Sequence, residues 1–472
     1  MRIGIVGWGI EGQSAYRYFG PEHEYLIVNE HPRDDLPAES ERIKVQFLKA
    51  EKPPGVTGNV ADLSYLNGIE DCDKIIYSVT SVKNLEQKFG QDKDFWQKAT
   101  TVWHIFFQGV KTKNLVGITG TKGKGTTSTL IFEMLKAVGK NAYLAGNIGT
   151  SVLDVLGDVQ EDDWVVLEIT NFQLYKFPYS PHIAVSLMIT DEHQDWHSNT
   201  EEYIAAKTNL FAYQKTDDIA IYFAKNEQSK RIAGASPGVK IPYFAKPGAV
   251  AKDEGIIVVG DPEIEVIKTR DVKLLGEHNL ENVCAAVTTV WFTVPEVQLQ
   301  AKIQAIRQVL TSFSGLEHRL EFVRELDSVK YYDDSFGTTP QTAIVAMRAF
   351  IEPKVIILGG HDKGLPFDPL VDEVVKSRVR QVIAIGYTGE KIAKMLAAKG
   401  YKNVTLGLKT MPEIASAARA SAKPGDVVLL STGCSSFGLF KDYKDRGDQF
   451  KTAVLALTFS GPDDVFKQGA DG

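Results

Sequence analysis

The architecture of this chain can be worked out from NLVGITGTKGKGTT, residues 114–127. The apolar run at 114–119 predicts a buried strand, and residues 128–138, after the glycine-rich loop, predict a helix. Backbone N–H groups of such a loop can surround phosphates, and Lys124 can neutralise the β and γ phosphates of a nucleotide. The stretch therefore predicts a phosphate-binding loop between a strand and a helix.

The spacing within this loop differs from the common G-x-x-x-x-G-K-S/T pattern. Position 118 is an isoleucine, so Gly120 is the first glycine, and Gly125 occupies the position of the usual hydroxyl residue. Thr126 and Thr127 are therefore the candidate hydroxyl ligands of Mg²⁺. A purely structural glycine turn is the alternative, and two lysines among three glycines disfavour it.

The strand–turn–helix pattern recurs on both sides of the loop. Short apolar runs that alternate with helical stretches indicate parallel, doubly wound sheets. The predicted fold class is α/β with three domains: a Rossmann-like domain at 1–111, a P-loop-type domain at 112–314 and a Rossmann-like domain at 315–472. The strands are predicted at 2–6, 25–28, 74–79, 114–119, 164–168, 183–189, 218–223, 354–358, 379–385 and 426–430, with a β-rich excursion at 237–271.

Composition excludes several classes of protein. The 472 residues suggest about three domains at the usual domain size. The 53 basic and 60 acidic residues give a net charge of −7, which argues against a general nucleic-acid binder. No apolar run is long enough to span a membrane, and no secretory signal precedes the first strand. Three scattered cysteines give no disulfide or zinc pattern, so we expect a cytoplasmic protein.

A second glycine motif, Gly7-x-Gly9-x-x-Gly12, follows the first strand. Glycines at this spacing let a diphosphate approach the N-terminus of the next helix. Asn29 and Glu30 end the second strand, where a dinucleotide site has a carboxylate for a ribose; Asn29 also suits a base. A tight turn without a ligand, and an NAD-binding protein, are the alternatives for this motif.

Polar residues also end two strands that follow the phosphate loop. Glu168 ends one, and the run Asp191-Glu192-His193 follows the other. A carboxylate there suits Mg²⁺, whereas an imidazole would be an unusual ligand for it, and a hydrogen-bonded loop histidine is the alternative. Lys207 lies in a predicted helix, and its chemistry alone predicts a solvated surface charge.

Together these motifs resemble the Mur ligase family, along almost the whole chain and in the order typical of that family. The further matching pieces are Gly146-Asn147-Ile148-Gly149, Phe172-Gln173-Leu174, Ala205-Ala206-Lys207, the run 276–282 and His318-Arg319. The chain is most similar to the branch that joins D-glutamate to UDP-N-acetylmuramoyl-L-alanine with ATP, in peptidoglycan precursor synthesis. The resemblance implies a monomeric ligase that forms a C–N bond through an acyl phosphate.

The resemblance also implies roles for individual residues. The UDP-linked substrate would meet Gly9, Ile10, Glu11, Gly12, Asn29, Glu30, Ser78 and Asn147. ATP would meet Gly120, Thr121, Lys122, Gly123, Lys124, Gly125, Thr126, Asn279, Asn282, Arg319 and Asp334. Two Mg²⁺ ions would be held by Thr126, Glu168, His193 and a carbamylated Lys207. Lys124, His193 and Lys207 would be catalytic, and glutamate would meet Thr338, Lys363, Ser436 and Tyr443.

The sequence departs from the family pattern where the amino acid should bind. In the run 333–339, Phe336 stands where the family has a lysine that meets glutamate. Losing a charge-assisted hydrogen bond matters by roughly 1.5–3 kcal/mol. The same run resembles a branch that adds L-glutamate, so both enantiomers stay open. Residues 78–80 also lack the expected Ser-Pro-Gly.

Two further functions compete with this interpretation. A folylpolyglutamate-type ligase would share the Gly-Lys-Gly-Thr of the loop, but the N-terminal glycine motif disfavours it. A non-catalytic nucleotide-binding module would leave Glu168, His193 and Lys207 without a role.

Overall fold

The structure of the chain is a computed structural model that describes residues 1–30, 33, 35–47, 62–190, 199–274, 276–362, 365–436 and 438–458. The side chains of residues 277 and 278 are also left undescribed. Two predicted site residues, His193 and Lys363, lie outside the described residues. The rest of the Asp191-Glu192-His193 run lies outside them as well.

The first sheet has five parallel strands in the order β3-β2-β1-β4-β5. Its central strands are buried because their sequences are continuous apolar runs, as expected for a sheet covered on both faces. Its elements are β1 (Arg2–Val6), α1 (Ile10–Phe19), β2 (Glu24–Asn29), β3 (Ile43–Phe47), β4 (Lys74–Tyr77), α2 (Val82–Phe89), α3 (Lys93–Lys98), β5 (Ala99–Thr100) and α4 (Val102–Gly109).

The second sheet has six parallel strands in the order β11-β10-β9-β6-β8-β7. The strand before the phosphate loop is therefore central, with a neighbour on each side. Its elements are β6 (Leu115–Thr119), α5 (Lys124–Ala137), β7 (Ala142–Gly146), α6 (Val152–Leu156), β8 (Trp164–Glu168), α7 (Asn171–Leu174), β9 (Ile183–Ser186), α8 (Thr200–Ala212), β10 (Ile219–Phe223), α9 (Glu227–Ala233) and β11 (Val239–Tyr243).

A small antiparallel sheet and two long helices follow this sheet. The three strands pair in the order β12-β13-β14, as predicted for a β-rich excursion. These elements are β12 (Val250–Ala251), β13 (Ile256–Val259), β14 (Ile264–Lys268), α10 (Glu277–Thr293) and α11 (Leu299–Ser312).

The last sheet has six strands in the order β15-β16-β20-β17-β18-β19. The hairpin strand β15 is antiparallel to its neighbour, and the other pairs are parallel. Its elements are β15 (Glu321–Leu326), β16 (Val329–Asp333), α12 (Pro340–Arg348), β17 (Lys354–Gly359), α13 (Asp368–Lys376), β18 (Val379–Ile385), α14 (Gly389–Ala398), β19 (Val404–Thr405), α15 (Met411–Ser421), β20 (Val427–Leu430) and α16 (Tyr443–Ala456).

The predicted α/β fold with parallel sheets is confirmed. The chain forms two compact units, 1–273 with 277–313 and 274–276 with 314–472, and the first of them holds the first two sheets. The three-domain division at 111 and 314 stays a prediction. No helix in the described part of the chain combines the length and apolar character needed to cross a membrane.

Some predicted boundaries are wrong at their ends. The strand predicted at 74–79 ends at 77 because residues 79–81 form a 3-10 turn. The strand predicted at 183–189 ends at 186, and the helix predicted from 128 already begins at 124, inside the glycine-rich loop. The strands β3 and β15 were not predicted because polar residues interrupt their apolar pattern.

Candidate functional site

The phosphate loop lies at the carboxyl edge of the second sheet, between β6 and α5. Gly120 has a φ of +156° and Gly123 a φ of +84°, conformations that favour glycine. A Cβ on Gly123 would stand 2.1 Å from Oδ1 of Asn282, so the loop also needs glycine for space. Gly123 directly precedes α5, whose N-terminal N–H groups form an anion-binding end.

Thr121 anchors this loop through both its backbone and its side chain. Its backbone N–H donates to the Met188 carbonyl at 2.8 Å, and its Oγ1 donates to the Thr190 carbonyl at 3.0 Å. The same Oγ1 lies 3.0 Å from the Tyr203 hydroxyl and accepts from the Thr190 N–H at 2.9 Å. Thr121 thus ties the loop to the segment after β9 and to α8, whereas Lys122 is exposed.

Two lysines converge on one carbonyl of the loop. Lys124 Nζ donates to the Gly120 and Thr121 carbonyls at 2.9 and 3.0 Å, and Lys207 Nζ donates to the Gly120 carbonyl at 3.0 Å. Lys207 is only 1% exposed, and its Nζ lies 4.7 Å from the centre of the Tyr203 ring. The expectation of a solvated Lys207 is therefore wrong, because the face of α8 that carries Lys207 packs against the loop.

A buried carboxylate stands on the strand next to the loop. Glu168 ends β8, the neighbour of β6, and is 4% exposed. Asn147 Nδ2 donates to its Oε1 at 3.2 Å. Thr126 is buried in the first turn of α5. A carboxylate and a hydroxyl at one sheet edge are oxygen donors of the kind that Mg²⁺ prefers, so these residues fit such an ion.

Asparagines of α10 pack against the same loop. Asn282 Oδ1 accepts from Thr127 Oγ1 at 3.3 Å, and its Nδ2 donates to Asn279 Oδ1 at 2.9 Å. Asn282 is 7% exposed. The structure thus brings two residues predicted for ATP next to a loop that precedes them by more than 150 positions.

The first sheet carries the second glycine motif at its own carboxyl edge. Asn29 Oδ1 accepts the Trp8 N–H at 2.9 Å, so the side chain that ends β2 holds the loop after β1. A Cβ on Gly12 would lie 2.1 Å from the Gly7 carbonyl. Ile10 is 71% exposed at the start of α1, and Gly9 caps that helix without a side chain. The loop leaves the helix end open to a ligand.

The Glu11 carboxylate is turned into the protein. Its Oε1 accepts from Trp103 Nε1 at 2.8 Å and from Gln173 Nε2 at 3.3 Å. Burial raises the pKa of Glu11, although these hydrogen bonds oppose the rise. The Glu11 side chain therefore joins α1 to α4 and α7.

The two other predicted contacts of the first sheet have polar neighbours. Glu30 Oε1 accepts from Asn84 Nδ2 at 2.8 Å, and Ser78 Oγ lies 3.1 Å from Thr80 Oγ1. Both residues lie at the edge that carries the glycine motif, because β1 is the neighbour of β2 and of β4. The three loops of this edge are therefore adjacent.

Three predicted residues of the C-terminal unit, Asp334, Thr338 and Ser436, lie in the loops after β16 and β20, which are adjacent strands. Arg319 precedes β15, and Tyr443 is the first residue of α16. Asp334 Oδ2 accepts from Ser431 Oγ at 2.6 Å, and Asp334 Oδ1 accepts from the Leu320 N–H at 3.3 Å. Burial raises the pKa of Asp334 to about 7. Ser436 is buried in the second of these loops, and Thr338 is half-buried in the first.

A fully buried arginine, which the sequence analysis missed, connects these two loops. Arg446 donates to Oγ and O of Ser335 at 2.8 and 2.6 Å and to the Cys434 carbonyl at 3.1 Å. Burial lowers the pKa of Arg446 to about 10. Its partner Ser335 lies 111 positions earlier in the sequence, so no local pattern marked Arg446.

Among the described residues, one group of three His, Asp and Glu side chains could hold a metal ion, whereas the predicted set, which includes the undescribed His193, stays a prediction. His318, Glu321 and Asp333 lie within reach of one ion in the C-terminal unit. His318 Nδ1 and Asp333 Oδ2 are 2.7 Å apart. Burial opposes a charge on His318, but Asp333 outweighs it and raises the pKa of the imidazole. The group is therefore explained as a buried ion pair.

The sequence is similar to known proteins along most of its length. Residues 118–290 match the family Mur ligase middle domain, and residues 318–434 match the family Mur ligase, glutamate ligase domain. The chain is 35% identical over 463 residues to a UDP-N-acetylmuramoylalanine--D-glutamate ligase of Clostridium kluyveri, with 96% of each sequence covered.

Two solved structures share the fold. They are MurC of Thermotoga maritima, a UDP-N-acetylmuramate-alanine ligase, and MurF ligase of the same organism in complex with ADP. The TM-scores are 0.57 and 0.55 at 16% and 18% identity, and 96% of this chain is covered in both cases, against 99% and 95% of the other chain. At these identities the likeness concerns the fold alone.

Proposed function

The chain belongs to the Mur ligase family, and on that premise we propose that it joins D-glutamate to UDP-N-acetylmuramoyl-L-alanine with ATP. The name of the relative from Clostridium kluyveri states the acceptor and the amino acid that this proposal assigns to the chain. The observation that carries the proposal is the loop at 120–125, where Lys124 and Lys207 donate to the same Gly120 carbonyl, next to the strand that ends in the buried Glu168. This arrangement suits a polyphosphate and its metal ions.

The reaction needs activation because a carboxylate is a poor electrophile. An oxygen of the acceptor carboxylate attacks the γ-phosphorus of ATP, and ADP leaves, which gives an acyl phosphate. The glutamate nitrogen then attacks the acyl carbon, loses a proton, and the tetrahedral intermediate expels phosphate. Both steps crowd negative charge, so fixed cations at the site stabilise them.

Individual residues of the central sheet have defined tasks in this proposal. Lys124 leaves its loop carbonyls and neutralises the transferred phosphoryl group. Thr126, Glu168, His193 and Lys207 hold two Mg²⁺ ions, which neutralise phosphate charge when bound. The support from geometry is the pair of buried oxygen donors at one sheet edge.

Lys207 is carbamylated in this proposal. Lys124 and Lys207 both donate to the Gly120 carbonyl, so an anionic carbamate on Lys207 would replace the repulsion between two like charges by attraction. A neutral lysine amine adds CO₂, releases a proton and becomes a carbamate, whose oxygens suit Mg²⁺.

The remaining substrate contacts are also proposals. The loops at 7–12 and at Asn29, Glu30 and Ser78, with Asn147, bind the UDP-linked acceptor. Asn279, Asn282, Arg319 and Asp334 bind ATP. Thr338, Lys363, Ser436 and Tyr443 bind glutamate. ATP and UDP-linked precursors are metabolites of the cytoplasm, so this function implies a cytoplasmic enzyme, and we expect a monomer.

L-glutamate is the second candidate for the amino acid. The observation that favours it is Phe336, whose ring stands where the family pattern has a cation. A change in the side chains that meet a dicarboxylate can change which enantiomer is accepted.

One assay tests the function. Phosphate release should require ATP, UDP-N-acetylmuramoyl-L-alanine and D-glutamate together, and omission of any one should reduce it to the background. L-glutamate in the same assay tests the second candidate. Release that is independent of both amino acids would contradict a glutamate ligase.

Replacement of Lys207 tests the metal site. We expect Lys207→Ala to abolish turnover, because no carbamate can form, and added bicarbonate should restore nothing. Isotopically labelled bicarbonate should give a carbamate NMR signal in the wild type and not in the variant. Lys302→Ala is the matched control, since Lys302 is also buried but donates to the Trp291 carbonyl. Full activity of Lys207→Ala would contradict the carbamate.

A further inference from the structure

An aromatic ring and an arginine form a stack on the C-terminal unit. The Arg319 guanidinium carbon lies 3.7 Å from the centre of the Phe336 ring. The Tyr443 ring meets Phe336 edge-on, with centroids 5.1 Å apart and planes at 82°. Phe336 is 40% exposed, so its ring is only partly used by the core of this unit. The exposed part of the Phe336 ring is thus available for contact with Arg319.

The backbone that carries the arginine has an unfavourable conformation. His318 and Leu320, on either side of Arg319, have φ values of +61° and +47°. Positive φ is disfavoured for residues with a Cβ, and for a bulky residue such as leucine it is a true outlier. Strained backbone of this kind persists only where surrounding contacts impose it, and it concentrates at functional sites.

Those surrounding contacts are present. The Phe336 N–H donates to the His318 carbonyl at 2.9 Å, and the Leu320 N–H donates to Asp334 Oδ1 at 3.3 Å. Two hydrogen bonds thus join the strained segment to the loop after β16. These hydrogen bonds hold the backbone on either side of Arg319 against the segment that carries Phe336.

The tyrosine side of the stack is fixed as well. Ser335 Oγ donates to the Tyr443 carbonyl at 2.8 Å. The fully buried Arg446 donates to Ser335, next to Phe336, and belongs to the same helix as Tyr443. The Phe336 ring consequently contacts both the Tyr443 ring, whose backbone is held in place, and the Arg319 guanidinium.

We propose that Phe336 is a positioning residue, whose ring holds the guanidinium of Arg319 in place for an anionic substrate. A free arginine has many rotamers, and a bound anion must order them. A planar guanidinium that already lies flat on a ring presents its N–H edge and loses less freedom on binding. The inference rests on the proposed function for the identity of the anion, which is ATP.

The test is a set of single and double variants of the full chain with calorimetric titration of ATP in the presence of Mg²⁺. Phe336→Leu should raise the Kd for ATP by about 3- to 5-fold, the worth of an exposed cation–π contact. Phe336→Tyr should bind as the wild type does, because its ring can still stack. In an Arg319→Ala background, Phe336→Leu should have no further effect.

The control is Phe322→Leu, since Phe322 is a 46% exposed phenylalanine on β15 of the same unit. It should leave the Kd unchanged. Thermal unfolding of each variant checks that the unit folds, and we expect no large shift for Phe336→Leu because its ring is partly exposed.

Three results for the Phe336 variants would overturn the proposal. Wild-type affinity of Phe336→Leu, or additive effects with Arg319→Ala, would show that the ring does not act through the arginine. A rise in the KM for glutamate alone would make Phe336 a direct contact of the amino acid instead. If the wild type binds ATP but turns over no substrate, the proposed function fails while this test still stands. Absence of ATP binding by the wild type would overturn both.

Discussion

The Glu11 carboxyl is the clearest case of a residue whose surroundings control its chemistry. Its position in the glycine motif points to a nucleotide ligand, but a carboxylate would repel a diphosphate. Trp103 Nε1 and Gln173 Nε2 both donate to its Oε1, which turns the charge away from the helix end. Burial of that charge makes the acid harder to ionise.

This burial predicts a pH-dependent effect of Glu11→Gln. The pKa of Glu11 is raised above its ordinary 4.5, so the folded state is penalised where the carboxyl must ionise. The contribution of the protonated Glu11 side chain to the free energy of unfolding is therefore fully present below pH 4.5, and it is lost as the pH rises through the pKa of Glu11 in the folded state. The glutamine Oε1 can accept from Trp103 and Gln173 as the carboxylate does, and it brings no charge to bury. We therefore expect the variant to have a higher Tm than the wild type at neutral pH, and the difference to shrink towards acid.

Thermal unfolding across this pH range measures the effect. Glu24→Gln is the control, because Glu24 is exposed and the same charge is removed. A constant Tm difference at every pH would show that the Glu11 side chain is not penalised by burial.

Residues of the phosphate loop could be identified from sequence because their order is local. Glycines and lysines between an apolar run and a helix are informative within a dozen residues. The surroundings of Lys207 could not be identified in this way, since its contact with Thr119 and Gly120 joins positions nearly 90 residues apart. A lysine on a helix has no local signal for burial.

At the scale of elements, the junction of β6 and α5 depends on one left-handed residue. Gly123 and Gly139, just before and just after α5, have φ values of +84° and +85°. A Cβ on Gly123 would meet Asn282, whereas a Cβ on Gly139 would meet nothing within 4 Å. A comparison of alanine variants at the two glycines therefore distinguishes the cost of a positive φ from the cost of a steric clash with Asn282.

We expect Gly123→Ala to lower the affinity for ATP at least about tenfold, because Asn282 and the loop must move apart. Gly139→Ala should leave that affinity unchanged. Both variants should lose about 1 kcal/mol of stability, since alanine disfavours positive φ. Calorimetric titration and thermal unfolding measure the two effects, and an equal loss of affinity in both variants would refute the steric explanation.

Strand positions follow the same distinction between local and distant information. Buried strands such as β8 and β18 are continuous apolar runs, and their predicted bounds agree with the structure. The partly exposed β3 and the hairpin strand β15 mix charged and apolar residues, and only pairing with a neighbour makes them strands.

At the scale of the whole molecule, the chain forms two compact units, and the second depends on a buried charge. Arg446 connects the loops after β16 and β20 through its bonds to Ser335 and Cys434. Each loop carries residues proposed to bind substrate. The arginine therefore links the stability of this unit to the shape of its site.

We expect Arg446→Met to destabilise the C-terminal unit by about 3 kcal/mol, because buried partners of a charge lose their hydrogen bonds. Scanning calorimetry should show the transition of that unit at a lower temperature and leave the other transition in place. Lys394→Met is the control, since this 81% exposed lysine of the same unit pairs with Glu390, which is itself 79% exposed, and its loss should cause no measurable shift. An equal shift of both transitions would contradict the expectation that Arg446 stabilises the C-terminal unit alone.

The sequence by itself determined the α/β class, the phosphate loop and the ligase family, because apolar periodicity and glycine spacing act over short stretches. Only the tertiary structure decided that Lys207 is buried, that Asn282 packs on the loop and that Phe336 stacks on Arg319. These contacts arise from the order of strands in each sheet, which brings distant loops to one edge. Burial and charge pairing are properties of that edge, and no local pattern encodes them.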